Sequence, residues 1–148
     1  MNQYVLDANI LFSRVISQKA VYRTLFNAPE HAFYTPDFVL AELNTYRSVF
    51  LKKSAVKGTD LKEFTLVLFA KIIVVPDYVI TVDSYTAAED LVADVDPKDI
   101  AYVALNEELG STLLTRDKPP HDGLRAKGYT RVQLFNDFIA QQAAKEGR

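Results

Sequence analysis

Two aspartates each follow a short apolar run that has the composition of a buried β-strand. Asp7 comes directly after Tyr4-Val5-Leu6, and Asp117 follows the run 111–115 with one arginine between them. The carboxyl ends of parallel strands form the edge of a sheet at which ligands collect. If the two strands are neighbours, the two carboxylates emerge side by side, which predicts an acidic site at that edge.

Three further acids stand where they could join this site. Glu42 lies on the border of the apolar stripe of a predicted long helix, and Asp96 and Asp99 open another helix. Helix capping would by itself explain Asp7 and Asp96. A solvated helix border would explain Glu42, and an ordinary turn would explain Asp117.

The chemistry of such a constellation is that of a metal site. Clustered carboxylates repel one another and raise one another's pKa values, so a divalent cation is the usual means of neutralising them. The chain has no cysteine and two histidines, so the ligands would be oxygen atoms, which favours Mg²⁺ or Mn²⁺. The pattern therefore predicts metal-assisted attack of water on a phosphate group.

The composition is that of a compact globular protein. With 148 residues the chain can bury a core, so we expect a single domain over residues 1–148. The absence of cysteine excludes a disulfide scaffold and a thiol nucleophile and is compatible with a reducing cytoplasm, the location we expect. A net charge of −2 argues against coating nucleic acid through bulk charge. No secretion signal is predicted, because Met1-Asn2-Gln3 leads directly into the first strand with neither a positively charged nor a long apolar segment. No membrane span is predicted, because the most apolar stretch, 64–76, is short and contains Lys71.

Strand-like and helix-like segments alternate along the chain, which predicts an α/β fold with a parallel sheet and right-handed crossovers. Strands are predicted near the N-terminus and at 31–35, 72–75, 111–115 and 130–132, with helices in between, including one over 17–27. The run 72–75 is β-branched throughout, which predicts a strand covered on both faces. His31 is expected to be a loop or strand-edge residue rather than a metal ligand.

Taken together and in order, these segments resemble those of the PIN domain, a small metal-dependent ribonuclease fold. The similarity covers nearly the whole chain, and its most specific part is the joined block of DPKD, helix, glycine, strand and TRDK. The segments that carry the resemblance read YVLDANILFS, PDFVLAELNTY, DPKDIAYVALNEELGSTLLTRDK and GLRAKGY.

The resemblance implies a three-layer α/β/α sandwich around a parallel sheet of about five strands. It also implies Mg²⁺- or Mn²⁺-dependent endonucleolytic cleavage of single-stranded or structured RNA. The catalytic, metal-binding acids by this resemblance are Asp7, Glu42, Asp99 and Asp117. Asp96 is the additional metal-binding acid, and which of Asp96 and Asp99 is the primary ligand stays open. Asn9 and Thr115 would orient the ligands through hydrogen bonds.

Small relatives are often the toxin half of a toxin/antitoxin pair, so the resemblance implies an antitoxin protein as partner, and also homodimerisation. Arg116 and Lys118 are the predicted RNA-binding residues, in a group of five basic residues that ends at Arg131. A second basic group between Arg47 and Lys62 could also hold phosphates, or could form solvated helix faces.

Other functions are compatible with parts of the pattern. The main alternative is a catalytically silent module of the same fold that binds RNA or regulates. A phosphatase of the haloacid-dehalogenase type would need a second aspartate where Asn9 stands. A receiver domain would need paired N-terminal acids, and Pro76 separates Asp77 from the third strand.

Overall fold

The protein is built around a five-stranded parallel sheet. The computed structural model describes residues 2–11, 28–45, 58–94 and 96–146. The strand order is β3-β2-β1-β4-β5, and every pairing is parallel. The strands are β1 (Asn2–Leu6), β2 (His31–Pro36), β3 (Ile72–Val75), β4 (Thr112–Thr115) and β5 (Val132–Leu134). The predicted α/β class and parallel sheet are confirmed.

Helices connect the strands in the described ranges. They are α1 (Ala8–Leu11), α2 (38–45), α3 (Gly58–Phe69), α4 (Val82–Val92), α5 (Ile100–Leu109), α6 (Lys118–Ala126) and α7 (Phe135–Glu146). Helix α5 packs across β1, β2 and β4, α4 contacts both α5 and α6, and α3 contacts β3. The helix predicted over 17–27 lies outside the described residues. In the described ranges, no helix is long and apolar enough to cross a membrane.

Helix α5 is the central helix of the molecule. A 3₁₀ turn, Pro97–Asp99, leads into it, and the Asp96 side chain caps that turn by accepting from the backbone N–H of Lys98 at 3.0 Å. Gly110 ends the helix in the left-handed conformation, with φ 61°, which a glycine adopts without steric cost. Five consecutive residues, 102–106, are buried, and the helix packs against α4 and across β1, β2 and β4.

Two sequence predictions about strands need correction. Strand β3 was expected to be covered on both faces, yet Ile73 is 51% exposed. Its position explains this, because in the described structure β3 pairs with β2 alone and lies at the edge of the sheet. The fifth strand begins at Val132 rather than at Thr130, whose carbonyl instead accepts from the Arg125 guanidinium at 3.1 Å.

His31 lies within β2 and is buried, which places it further inside than the predicted strand edge. Its Nε2 is 2.9 Å from Oε1 of Gln142 on α7. The Tyr4 ring packs edge-on against the His31 ring and lies 4.8 Å, between centroids, from Phe138. This cluster attaches the last helix to the sheet, and that environment gives His31 a structural role in the core.

Candidate functional site

The sheet order brings together the two strands that precede Asp7 and Asp117. Strands β1 and β4 are paired neighbours, with Leu6 opposite Leu114. From this pair the chain continues outward in both directions, through β2 and β3 on one side and β5 on the other. Such a change of direction opens a crevice at the carboxyl ends of the strands. The strands that precede Asp7 and Asp117 are therefore neighbours, as the predicted acidic site requires.

Asp7 is buried at the end of β1, with 7% of its surface exposed. The backbone N–H of Ile10 donates to its Oδ1 at 3.2 Å, so the side chain does cap the short helix α1. Burial raises the pKa of the Asp7 carboxyl to about 6, although the Thr115 hydroxyl and the Ile10 N–H both oppose that rise. Capping alone does not explain a buried carboxylate whose charged form is so disfavoured, because a cap functions equally well at the surface.

Thr115 and Asn9 join the ends of the two strands. The Thr115 hydroxyl accepts from the backbone N–H of Asp117 at 3.1 Å and also bonds to the Asp7 carboxylate. The Asn9 amide donates to the Asp117 carboxylate. On the other side of β1, the Thr35 hydroxyl donates to the Leu6 carbonyl at 3.0 Å. These bonds hold both aspartates at the same edge of the sheet.

Asp99 stands at the start of α5, where its side chain makes no capping bond. Its Oδ2 is buried and has no hydrogen-bond partner among the described residues. Burial raises the pKa of the Asp99 carboxyl to about 7, and the charges of Asp7, Asp96, Asp117 and Glu42 add to the rise. The charges of the four other predicted acids therefore all act on the Asp99 carboxyl. One side-chain oxygen of Asp96, by contrast, is used in capping the turn that precedes α5.

Glu42 extends from α2 toward α5, where the hydroxyl of Tyr102 donates to its Oε1. Tyr102 is 2% exposed, and burial, followed by the bond to Glu42, raises the pKa of its phenol. The sequence prediction did not include Tyr102. Its spacing, three residues after Asp99 and so on the same face of the helix, was the available signal.

A small cleft runs between these elements. Four of the predicted site residues line it, together with two residues of the turn and helix around Asp99 and one of α1: Asp7, Asn9, Glu42, Asp99, Lys98, Tyr102 and Ala8. Asp117 lies beside the cleft and is tied to Asn9, whereas Asp96 caps the turn at its border. The structure thus gathers the acids at one place, with Asp96 at the periphery.

The chemistry of this donor set fits a hard divalent cation. Three carboxylates line the cleft, those of Asp7, Glu42 and Asp99, and the unpartnered Oδ2 of Asp99 is a buried acceptor that a cation would satisfy. Across the residues that the structure describes, however, no three histidine, cysteine or acidic side chains are already arranged to hold a metal ion. Asn9 bonds to Oδ2 of Asp117 and Tyr102 bonds to Oε1 of Glu42, so each bond engages one of the two oxygens of its carboxylate and leaves the other for a cation.

The basic residues after β4 differ in how much they are engaged. Arg125 binds the Thr130 carbonyl, Lys127 pairs with Asp94, and Arg131 pairs with Glu107 at 2.6 Å; these contacts are internal to the fold. Arg116 and Lys118 are exposed and form no ion pair with a described residue. Of the second basic group, Lys62 is exposed on α3, and Arg47, Lys52, Lys53 and Lys57 lie outside the described residues.

The fold is shared with a solved structure. It is similar to a chain in the crystal structure of VapBC2 from Rickettsia felis bound to a DNA fragment from their promoter, with a TM-score of 0.58 at 14% sequence identity. The similarity covers 89% of this chain and 96% of that chain, and at this identity it shows the common fold. A comparison with curated proteins gives no match.

The family is shown by the sequence itself. The family model described as PIN domain matches residues 5–134. That span runs from the last two residues of β1 to the end of β5 and contains all five acids of the site: Asp7, Glu42, Asp96, Asp99 and Asp117. The chain therefore belongs to the PIN domain family, whose members are generally nucleases that use a divalent metal.

Proposed function

We propose that this protein is a Mg²⁺- or Mn²⁺-dependent endoribonuclease that hydrolyses RNA phosphodiester bonds, in a single domain spanning residues 1–148. The observation that carries the proposal is that the buried carboxylate of Asp7, at the end of β1, and the half-buried carboxylate of Asp99, at the start of α5, line the same cleft. Burial raises the pKa values of both; the charge of Asp117 adds to the rise at Asp7, and the charges of the other acids add to the rise at Asp99. An arrangement so unfavourable in the free protein is expected where a bound cation relieves it.

The side chains would divide the work as follows. Asp7, Asp99 and Asp117 would hold the metal, and Glu42 and Asp96 would hold water or a second ion. When bound, Mg²⁺ or Mn²⁺ supplies a water of lowered pKa and neutralises charge on the phosphoryl oxygens. Asn9 and Thr115 would keep the carboxylates oriented, since both already bond to them. Among the two candidates at the start of α5, the unpartnered oxygen favours Asp99 over Asp96 as primary ligand.

RNA would be held beside the cleft by Arg116 and Lys118. Both residues adjoin Asp117 in sequence and are exposed, without an ion pair to any described residue. A cation that is not already paired within the protein is available to a phosphate. Two such contacts supply local attraction in a protein whose net charge is −2.

The proposal extends to the biological setting, the toxin of a toxin/antitoxin pair acting in the cytoplasm. The Rickettsia felis neighbour is a VapBC2 complex bound to DNA from its promoter, which supports a protein partner for this chain also. We propose an antitoxin protein as that partner, and a homodimer as the assembled form. Co-expression of this chain with its genomic neighbour, followed by size-exclusion chromatography, tests both.

Cleavage of labelled RNA in the presence of Mn²⁺ or Mg²⁺ tests the central claim. The wild type is expected to cleave with either metal and to stop on addition of EDTA. Asp7→Asn and Asp99→Asn are expected to reduce the rate by at least about 100-fold, because each removes a charged ligand. Asp90→Asn, on the exposed surface of α4, is the matched control and should leave the rate unchanged. Cleavage by Asp7→Asn at the wild-type rate would show that the assignment of Asp7 to a catalytic metal site is wrong.

One observation favours a second function, a catalytically silent module that binds RNA or regulates. Within the described ranges no trio of acidic or histidine side chains already has the geometry of a metal site. Such a module would bind RNA equally well after loss of Asp7 and Asp99. It would lose binding when Arg116 and Lys118 are neutralised, and gel-shift titrations of the two sets of variants separate the functions.

A further inference from the structure

We infer that Tyr102 is a positioning residue for the reaction, one that holds the Glu42 carboxylate against the acidic cleft. The inference rests on the proposed function, since it assigns the means by which one member of the proposed site is kept in place. The bond between the two side chains joins α2 to α5, two elements far apart in sequence.

Glu42 needs such a partner because its own position does not fix it. It lies on the border of α2, half-buried, three residues after the fully buried Val39. A glutamate has several side-chain torsions, and ordering it costs rotamer freedom. Left alone, a carboxylate at a helix border turns to water. A donor on the opposite wall of the cleft is what draws it inward.

Tyr102 is suited to be that donor. Its side chain is 2% exposed and lines the same cleft as Asp7 and Asp99. A buried phenol needs a hydrogen-bond acceptor, and among the described residues Oε1 of Glu42 provides it. The Phe38 ring packs edge-on against the Tyr102 ring, with 6.2 Å between centroids and 68° between planes. Packing therefore fixes the ring, and the fixed ring sets where the carboxylate lies.

The competing explanation is that Tyr102 is a core residue whose hydroxyl simply bonds to the nearest acid. Tyr102→Phe separates the two explanations, because it removes the hydroxyl and keeps the ring and its packing against Phe38. A matched control exists in Tyr85→Phe. The Tyr85 hydroxyl also donates to a carboxylate, that of Asp77, but neither residue lines the cleft.

The experiment measures kcat and KM for RNA cleavage, and the affinity for Mn²⁺ by calorimetry, in Tyr102→Phe, Glu42→Gln and the double variant. We expect Tyr102→Phe to lower kcat by about 10-fold or to weaken Mn²⁺ binding by a similar factor, the usual effect of removing a partner of a metal-site carboxylate. In the Glu42→Gln background the same substitution should change neither quantity. Tyr85→Phe should match the wild type within twofold.

The outcomes separate this inference from the proposed function. Cleavage and Mn²⁺ binding by Tyr102→Phe equal to those of the wild type would overturn the inference and leave the nuclease standing. A loss of equal size in the Glu42→Gln background, together with a lowered melting temperature, would also overturn it, because Tyr102 would then act on the fold. A wild type that neither binds Mn²⁺ nor cleaves RNA would remove the proposed function, and the inference with it.

Discussion

At the scale of single residues, the site is made of groups that oppose the stability of the free protein. Asp7 is almost fully buried, and its charged form is disfavoured by desolvation more than hydrogen bonds compensate. Asp99 has a buried oxygen without a partner among the described residues. Unsatisfied and repelling groups of this kind are costly to folding, and their presence in one cleft is the physical basis for proposing a functional site there.

The first prediction concerns Asp7 and pH. Its carboxyl has a pKa of about 6 in the folded protein against an ordinary value of 3.8. Because the folded-state pKa is the higher one, the stabilisation from protonating Asp7 is complete below about pH 3.8 and is lost as the pH rises through about 6. At pH 7.5 in EDTA, Asp7→Asn should therefore raise the free energy of unfolding by about 1–3 kcal/mol, and at pH 4 it should have little effect.

Urea unfolding of metal-free protein at the two pH values measures this difference. Asp90→Asn, whose carboxylate is exposed, should show no gain at either pH. A loss of stability in Asp7→Asn at pH 7.5 would mean that its hydrogen bonds outweigh the cost of burying the charge. Adding Mn²⁺ should make the wild type more stable than Asp7→Asn, because a ligand stabilises the folded protein that binds it.

At the scale of elements, the turn before α5 shows how one residue can have two roles. The Asp96 side chain caps the turn Pro97–Asp99, while its charge adds to the rise in the pKa of Asp99. Capping and metal binding make different demands on the side chain. A serine can cap as an aspartate does, but it brings no negative charge.

Asp96→Ser and Asp96→Ala therefore separate the two roles. We expect Asp96→Ala to lose about 1 kcal/mol of stability, as is usual when a cap is removed, and Asp96→Ser to keep it. If Asp96 also serves the metal site, both variants should bind Mn²⁺ more weakly than the wild type by the same factor. Thermal unfolding and calorimetric titration give the two quantities, and an unchanged Mn²⁺ affinity in Asp96→Ser would leave capping as the sole role.

Sequence reasoning worked where the relevant structure was local. Asp7 and Asp117 could be placed because each follows a strand, and parallel strands end at a common edge. It failed where the answer depended on how elements pack. The exposure of Ile73 follows from the position of β3 as the outermost strand of the described sheet. The order of strands in a sheet cannot be predicted from the composition of one strand.

The bond between Tyr102 and Glu42 shows the same limit. It depends on the approach of α2 to α5, and the sequence does not show that these two helices lie close together. The sequence does not distinguish Asp96 from Asp99 as the candidate for primary metal ligand, because both acids lie in the same short segment. The conformation of the turn is needed to tell them apart. Hydrogen bonding in the folded chain distinguishes them, with Asp96 engaged in a cap and Asp99 unpartnered at one oxygen.

At the scale of the whole molecule, the proposed function requires an acidic protein to bind a polyanion. With a net charge of −2, long-range attraction to RNA is weak, so binding would depend on the local cations next to the cleft. Arg116 and Lys118, the residues proposed for this role, are exposed just after the carboxyl end of β4, whereas Lys71 is an exposed lysine just before the amino end of β3.

Salt titration of RNA binding tests this arrangement. The double variant Arg116→Gln/Lys118→Gln should bind single-stranded RNA more weakly, and the slope of log K against log salt should fall by about 0.7 for each lost phosphate contact. Lys71→Gln should leave the affinity and the slope unchanged. An equal loss in Lys71→Gln would show that the charge of the whole protein, and no particular patch, governs binding.

The burial of residues 102–106 also bears on how this protein can evolve or be redesigned. The rear wall of the cleft is the hydrophobic core itself, because the helix that bears Tyr102 is enclosed over five consecutive positions. Substitutions there would be eliminated for their effect on folding before their effect on activity could be selected. New substrate preferences should therefore arise at the rim, from exposed positions such as Phe38, Lys98 and Arg116. A mutational library confined to the rim is expected to retain folded, metal-binding variants far more often than one directed at α5.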